Sequence, residues 1–406
     1  MSYSPKVFVI QQGARHRYAV PRMLHSLGYL TGLFTDSHAG SPLGKLAGTA
    51  RPLLPRLAPI ARLSDREIKG VPLALVSATD RWVFRQRSMR KRAAEDTAAW
   101  LSARDKSWYA LSSSAIAKST NILYSMGGEN LRLLQQAKNS GIRVVSDAFI
   151  TPLNLRQTRD AKIAHGIPLS KIEEDCQHVE EHYNRVFSFS DFILCPSKWV
   201  ADGVVALSPD LWPKIRICQY GSSIPPSSAV RKPVAGRIFW AGGDWFRKGL
   251  HHLAAAANLA KASNPAIEFR IAGITDPQVL AMPMFRNLRF IGKLDRHGMQ
   301  TEFASADLFV FPTLSEGMAS VLLEAIASAC PVITTSSAGV DGLEESGAGR
   351  VLRAGETQAL SDAIVNLVGD RSTLHAMSEA CARLAPRFTE TAWADRLGNI
   401  LRESAS

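Results

Sequence analysis

The chain has 406 residues, with 46% hydrophobic and 21% charged residues. That length predicts two domains with separate cores, and the composition excludes a disordered or fibrous chain. The formal net charge is +12. Residues 1–100 hold 16 Lys/Arg against 6 Asp/Glu, so +10 of the excess lies in the first quarter. No apolar run approaches the roughly 18 residues needed to cross a bilayer. The first apolar burst, Val7-Phe8-Val9-Ile10, is too short for a secretory signal and reads as a strand, which places the chain in the cytoplasm. Five scattered cysteines (Cys176, Cys195, Cys218, Cys330, Cys381) form no disulfide framework and no C-x-x-C zinc pair.

In chain order, short strand-like runs alternate with helical patterns, the sign of βαβ units around parallel sheets. The first half predicts strands at 6–11, 31–35, 121–125 and 142–146. An Arg/Pro/Leu-rich insertion spans 40–106, and its structure is not legible in the sequence. Within it, Arg81 to Arg92 interleaves basic with apolar residues, a pattern suited to an anionic membrane surface and equally to a solvated basic helix face. Nothing nearby reads as a nucleic-acid recognition element, so no nucleic-acid partner is expected. A helix over 169–186 and a strand over 191–195 follow. Pro196-Ser197-Lys198-Trp199 then opens another helix, with Ser197 as N-cap.

The Pro/Ser-rich segment 222–233 is the best linker. Beyond it come strands at 236–240, 267–272, 288–291, 308–311 and 332–334, with helices from about Gly249, over 296–304 and over 319–328. The domains expected are 1–225, 226–385 and a closing helix over 386–406.

The sharpest chemical signal is Phe311-Pro312-Thr313-Leu314-Ser315-Glu316-Gly317-Met318-Ala319-Ser320-Val321-Leu322-Leu323-Glu324-Ala325. A strand ends, a turn carries a carboxylate and a glycine, and a helix begins. Helix-start amides together with the helix dipole make an anion site, and ligands of open α/β sheets bind outside strand ends. Glu316 at the turn and Glu324 inside an almost wholly apolar helix are placed to accept hydrogen bonds from vicinal hydroxyls, with amides holding phosphates between them. Otherwise Glu316 is a capping carboxylate and Glu324 a solvated one. An unpaired acid in so apolar a helix is costly, which favours use over decoration.

These residues resemble the family-4 retaining glycosyltransferases of the GT-B fold, whose E-x7-E motif matches Glu316 to Glu324, followed by Cys330-Pro331-Val332-Ile333. The resemblance is strong over about 234–370, continues at Ser190-Asp191-Phe192-Ile193-Leu194-Cys195-Pro196-Ser197, and is weak over 40–120. It implies an α/β chain of two Rossmann-like domains facing a central cleft. It also implies a metal-independent transferase using a nucleotide-diphospho-sugar as co-substrate and no other cofactor. By the resemblance, Glu316 contacts sugar hydroxyls, Glu324 the ribose, and amides of Gly317, Met318, Ala319, Ser320 and Val321 the sugar and diphosphate. The family commonly has Phe-Gly where this chain has Met318-Ala319. In the loop Phe239 to Gly249, Lys248 matches the family's diphosphate-binding lysine. The early arginine position falls on Gly242 or Gly243, leaving Arg247 as the nearest substitute cation.

After the first strand, Gly13 allows close backbone approach to the donor, and Arg15 and His16 are placed to touch a phosphate of donor or acceptor; on the acceptor side the resemblance implies a His or Asp after the fourth strand, which here is Asp147. The acceptor expected is a lipid-linked or polysaccharide glycan, and the basic first domain suggests the inner face of a membrane. The competing reading is a non-catalytic nucleotide-sugar or glycan-binding protein. His178-Val179-Glu180-Glu181-His182 matches the H-x-x-E-H zinc pattern, but lacks an evident third ligand. Gly40 to Leu46 resembles a phosphate loop with one residue too few between its glycines.

Overall fold

The computed structural model describes residues 4–50, 63–93, 95–127, 130–222, 224–226 and 231–405. Among them the chain forms two compact units. One is Met1–Pro196, Val200–Cys218 and Ala394–Ser406; the other is Ser197–Trp199 and Gln219–Trp393. The chain therefore passes from the first unit to the second at 218/219, ahead of the expected linker at 222–233, of which residues 223 and 227–230 lie outside the described ones. No helix among the described residues is long and apolar enough to cross a membrane.

The first unit holds seven parallel strands: β1 (Val7–Gln11), β2 (Leu30–Asp36), β3 (Val76–Thr79), β4 (Ile122–Met126), β5 (Arg143–Asp147), β6 (Phe192–Cys195) and β7 (Ile215–Ile217). Their order is β3-β2-β1-β4-β5-β6-β7. The five residues of β1 and of β4 are all buried, as expected of central parallel strands covered on both faces.

The insertion at 40–106 builds β3 and helices Pro42–Ala50, Arg81–Ala93 and the start of Thr97–Ser112. Trp82 and Trp108 fasten it to the sheet: both are fully buried, their rings are 4.8 Å apart, and Trp108 meets Phe34 of β2 at 5.2 Å. The helix expected over 169–186 is two, Lys171–Glu174 and Cys176–Ser188, divided at Asp175. The tail forms the helix Glu390–Ala405, which buries Leu397 and Leu401; Arg402 donates to Tyr29 Oη at 2.9 Å and Glu403 pairs with Arg216 at 2.5 Å.

The second unit holds β8 (Arg237–Ala241), β9 (Glu268–Ala272), β10 (Arg289–Phe290), β11 (Leu308–Phe311), β12 (Val332–Thr335) and β13 (Gly349–Leu352). They run parallel in the order β10-β9-β8-β11-β12-β13. Phe239, Phe303 and Phe309 form a mutually packed aromatic core with ring separations of 5.2–5.6 Å. Each sheet thus has one point where strand order reverses, between β1 and β4 and between β8 and β11. Such switch points open a crevice beyond the strand ends. Two Rossmann-like domains with parallel sheets are the GT-B class of architecture.

Candidate active site

In the second unit the β8 and β11 loops meet at the switch point. Hydrogen bonds to the backbone carbonyls of Arg247 and Lys248 put the two cations of the β8 loop there. The Arg247 carbonyl accepts from Leu314 N–H at 2.8 Å and from Thr313 Oγ1 at 3.0 Å, while Trp240 Nε1 donates to the Lys248 carbonyl at 3.2 Å. Gly249 has φ +71° and leads into the helix Leu250–Ser263; a Cβ there would lie 1.8 Å from the Pro312 carbonyl oxygen. Only glycine permits this approach.

With the loops so fixed, Lys248 Nζ donates to Glu316 Oε1 at 2.8 Å and Arg247 Nη1 lies 3.0 Å from the same oxygen. Arg247 also donates to the Ser315 carbonyl at 2.6 Å and pairs with Asp244 at 3.2 Å. Lys248, Arg247 and Glu316 are 20%, 18% and 13% exposed, so the cluster is partly desolvated yet open to a ligand. Lys248 further stands over the Phe311 ring at 5.0 Å. The substitute cation proposed from the sequence therefore does reach the acidic turn.

The turn after Glu316 is held from β12, a support the sequence reading missed. Glu316 N–H donates to the Ser337 carbonyl at 2.9 Å and Ala319 N–H to Ala338 at 3.0 Å; Thr335 Oγ1 and Ser337 Oγ both donate to the Thr313 carbonyl. Gly339, at φ +71°, leaves room for the Gly317 carbonyl, which a Cβ would meet at 2.0 Å. That carbonyl accepts from Ser197 Oγ at 2.7 Å. The Ser197 hydroxyl, expected as an N-cap, thus supports the turn. The run Thr334-Thr335-Ser336-Ser337-Ala338-Gly339 was the available signal: small hydroxyls and a glycine directly after a strand.

Met318 and Ala319 are buried, and Met318 Sδ accepts from Tyr220 N–H at 3.2 Å. Ala319 is the N-cap of the helix Ser320–Ala327 and offers no side-chain bond, so the first-turn amides are not capped by their own flank. Ser320 is exposed and Val321 half-buried. Glu324 is also half-buried, while Leu322, Leu323, Ala325, Ile326 and Ala327 are buried, so its desolvation is milder than the apolar sequence suggested. Gly243 has open space around it, with nothing within 4 Å of a hypothetical Cβ.

The remaining candidates lie in the first unit, after the end of β1 and at the last residue of β5. Gly13 has φ +69° and its N–H donates to Asp36 at 2.9 Å. His16, Arg17 and Tyr18 follow with φ of 48–58°, a run of non-glycine residues in the left-handed region that marks a strained turn. Burial, with help from Arg15, pulls the His16 imidazole down to about 4, so it is neutral at pH 7. The Arg15 guanidinium sits 3.5 Å above the Phe149 ring. Asp147 is buried at the end of β5 and accepts from Tyr124 Oη at 2.6 Å.

The two other patterns do not build sites. His178, Glu181 and His182 line a cavity with Asp105, but they do not bring three ligand atoms within 4.8 Å of one another, and Asp105 is paired with Arg132 at 3.2 Å. Gly40 to Leu46 runs into the helix Pro42–Ala50, whose Leu43 N–H and Ser41 hydroxyl bond Asp80; this start binds a carboxylate of its own chain.

Residues 235–370 match the family model described as "Glycosyl transferases group 1". Over 168 residues the chain is 29% identical to the GDP-mannose-dependent monoacylated alpha-(1-6)-phosphatidylinositol monomannoside mannosyltransferase of Corynebacterium glutamicum, covering 38% of this chain and 44% of that relative. Over 295 residues it is 23% identical to the putative colanic acid biosynthesis glycosyltransferase WcaL of Salmonella typhimurium, covering 64% and 68% of the two chains. The structure is similar to that of sucrose-phosphate synthase from Thermosynechococcus elongatus, with a TM-score of 0.64, 15% identity, and 99% and 100% of the two chains covered.

Proposed function

Taking a glycosyltransferase group 1 domain at residues 235–370 as the premise, we propose that the protein is a retaining glycosyltransferase. It moves a sugar from a nucleotide-diphospho-sugar to a lipid-linked or polysaccharide acceptor. The observation that carries this is the joint presence of Lys248 and Arg247 at one oxygen of Glu316, at the β8/β11 switch point beside an uncapped helix start. Two cations and a set of helix amides suit a departing diphosphate, and such stabilisation is usually the largest catalytic contribution. Their bonds fix the Glu316 carboxylate in place, ready to accept from sugar hydroxyls, while Glu324 serves the ribose.

Retention follows in this reading from front-face displacement. The anomeric carbon–phosphate bond breaks as the acceptor oxygen enters from the same face through an oxocarbenium-like state. The leaving phosphate oxygen takes the acceptor's proton, and Lys248, Arg247 and the helix amides hold the growing negative charge. No metal enters the scheme, because the cations already on the chain supply the countercharge. The acceptor class is supported by what the relatives' names say they make or modify, a phosphatidylinositol mannoside and colanic acid. The basic helix Arg81–Ala93, with Arg81, Phe84 and Arg85 exposed, suits a peripheral position on an anionic cytoplasmic membrane face.

The experiment is to incubate the protein with UDP- and GDP-sugars plus glycan and glycolipid acceptors, following nucleotide diphosphate release and the anomeric configuration of the product by NMR. Acceptor-dependent release with the donor's configuration kept is the expected result. Donor binding without release across the acceptors would favour a binding protein, and an inverted product would remove the front-face scheme.

A further inference from the structure

Among the described residues, the Glu316 side chain bonds the two cations proposed above to hold the departing diphosphate, and no other group. Lys248 Nζ at 2.8 Å and Arg247 Nη1 at 3.0 Å share its single oxygen Oε1. Arg247 Nε also pairs with Asp244 Oδ2 at 3.2 Å. The two cations therefore face two carboxylates of the chain itself, and the cluster is formally neutral. A nucleoside diphosphate brings about two to three further negative charges. Its oxygens ask of these donors what a carboxylate asks, so ligand and Glu316 compete for the same N–H groups.

The cations are the fixed side of this contact. A Cβ on Gly242 would lie 2.6 Å from Lys248 Cδ, so the lysine stem rests on that glycine, and its ammonium stands 5.0 Å above the Phe311 ring. Arg247 is fastened by the Ser315 carbonyl at 2.6 Å and by Asp244. Glu316 is anchored through its backbone, N–H to the Ser337 carbonyl at 2.9 Å, while its side chain can change rotamer once the cations are taken. At 13% exposure the carboxylate is desolvated enough for the contact to count and open enough for an anion to enter.

We propose that Glu316 is an internal counterion that competes with the diphosphate. It holds Lys248 and Arg247 between turnovers, yields them to the donor, and reclaims them as the nucleoside diphosphate leaves. The proposal rests on the glycosyl-transfer reading and adds product release to the part Glu316 has in holding the sugar. The carboxylate favours the arrangement without ligand, so it lowers the affinity of every diphosphate, product included. Product release limits turnover in many enzymes, which gives this weakening a use. A residue that only held sugar or braced the cations would act otherwise: its removal would leave diphosphate affinity unchanged or lower it.

The test is isothermal titration calorimetry of inorganic pyrophosphate into the full chain in metal-free buffer. The proteins are wild type, Glu316→Gln, Lys248→Met and the variant carrying both substitutions. Glu316→Gln should bind pyrophosphate at least about fivefold more tightly than wild type. In the Lys248→Met background the same substitution should gain about twofold or less, whereas a general loss of negative charge would act equally in both backgrounds. Urea unfolding of each protein confirms folding, and if Glu316→Gln does not fold, Glu316→Ala replaces it with the same expected sign. Equal or weaker binding by Glu316→Gln, or an equal gain in both backgrounds, would overturn the competition and leave the donor reading standing. No binding by any of the four proteins, or binding that Lys248→Met does not weaken, would overturn both.

Discussion

Lys248 Nζ and Glu316 Oε1 are 2.8 Å apart although 68 residues separate them, and the carboxylate oxygen that Lys248 bonds is also reached by Arg247 at 3.0 Å. The β8 loop thereby delivers both its cations to the turn after β11. Replacing Lys248 by Met leaves Glu316 one cation, so the loss of stability should be modest, about 1–2 kcal/mol. Turnover of a nucleotide-sugar should fall much further, by about 10²–10³-fold, the usual effect of deleting one stabilising group at a developing charge. Steady-state kinetics beside urea unfolding of the same variant checks the contrast.

Glu324 gives a second kinetic prediction. The half-buried carboxylate can be exchanged for its near-isosteric amide without opening a cavity. Glu324→Gln should keep the fold and lower donor turnover by roughly 10²-fold or more. Near wild-type turnover with saturating donor would show that this acid has no part in holding the substrate.

The glycines of the β8 loop separate backbone constraint from side-chain chemistry. Gly249→Ala combines φ +71° with a Cβ 1.8 Å from the Pro312 carbonyl oxygen, and should cost more than about 2 kcal/mol while moving Lys248. Gly243→Ala meets nothing within 4 Å and should fall within about 0.5 kcal/mol of wild type. Urea midpoints of the two variants make the comparison.

His16 predicts a pH dependence. Its folded pKa of about 4 lies below the ordinary 6.5, so between those values the unfolded chain binds the extra proton. Stability from this residue is therefore complete above pH 6.5 and lost as pH falls toward 4, by at most about 3 kcal/mol. His16→Asn keeps a residue tolerant of the left-handed region, where His16 has φ 48°. Unfolding free energies at pH 5 and 7.5 should differ less in the variant than in wild type.

The basic helix Arg81–Ala93 predicts salt-sensitive co-sedimentation with phosphatidylglycerol vesicles and little with phosphatidylcholine. Phe84 is 65% exposed beside exposed Arg81 and Arg85. Arg81→Glu with Arg85→Glu should cut the bound fraction severalfold, at about 1 kcal/mol per basic residue. Equal binding to both lipids would leave the helix a solvated basic face.

What the sequence disclosed and hid follows strand position. The central strands β1, β4, β5, β8 and β11 are buried apolar runs and were readable within a residue or two. The strands not foreseen, β3, β7 and β13, all lie at sheet edges. Their burial is partial, Ser77 and Ala78 being exposed in β3 and Arg350 in β13, so no apolar burst announces them. The helix Arg81–Ala93 was legible only as one of two readings of its basic run, because its buried anchors, Trp82 and Met89, are few within it. At the site, Lys248 and Glu316 were legible because strand-end loops concentrate chemistry. The Thr335, Ser337 and Gly339 support was not, because it acts through carbonyls that the sequence does not display.

The most direct measurement of the central claim is a thermal-shift titration with UDP- and GDP-sugars on wild type and on a Lys248→Met, Arg247→Met double variant. A donor that binds the native state raises Tm by an amount set by concentration over Kd. The account predicts a concentration-dependent rise for one nucleotide series in wild type and its loss in the double variant, both proteins unfolding cooperatively. An equal rise in the two proteins would contradict it, because the diphosphate would then be held somewhere other than the β8/β11 cluster.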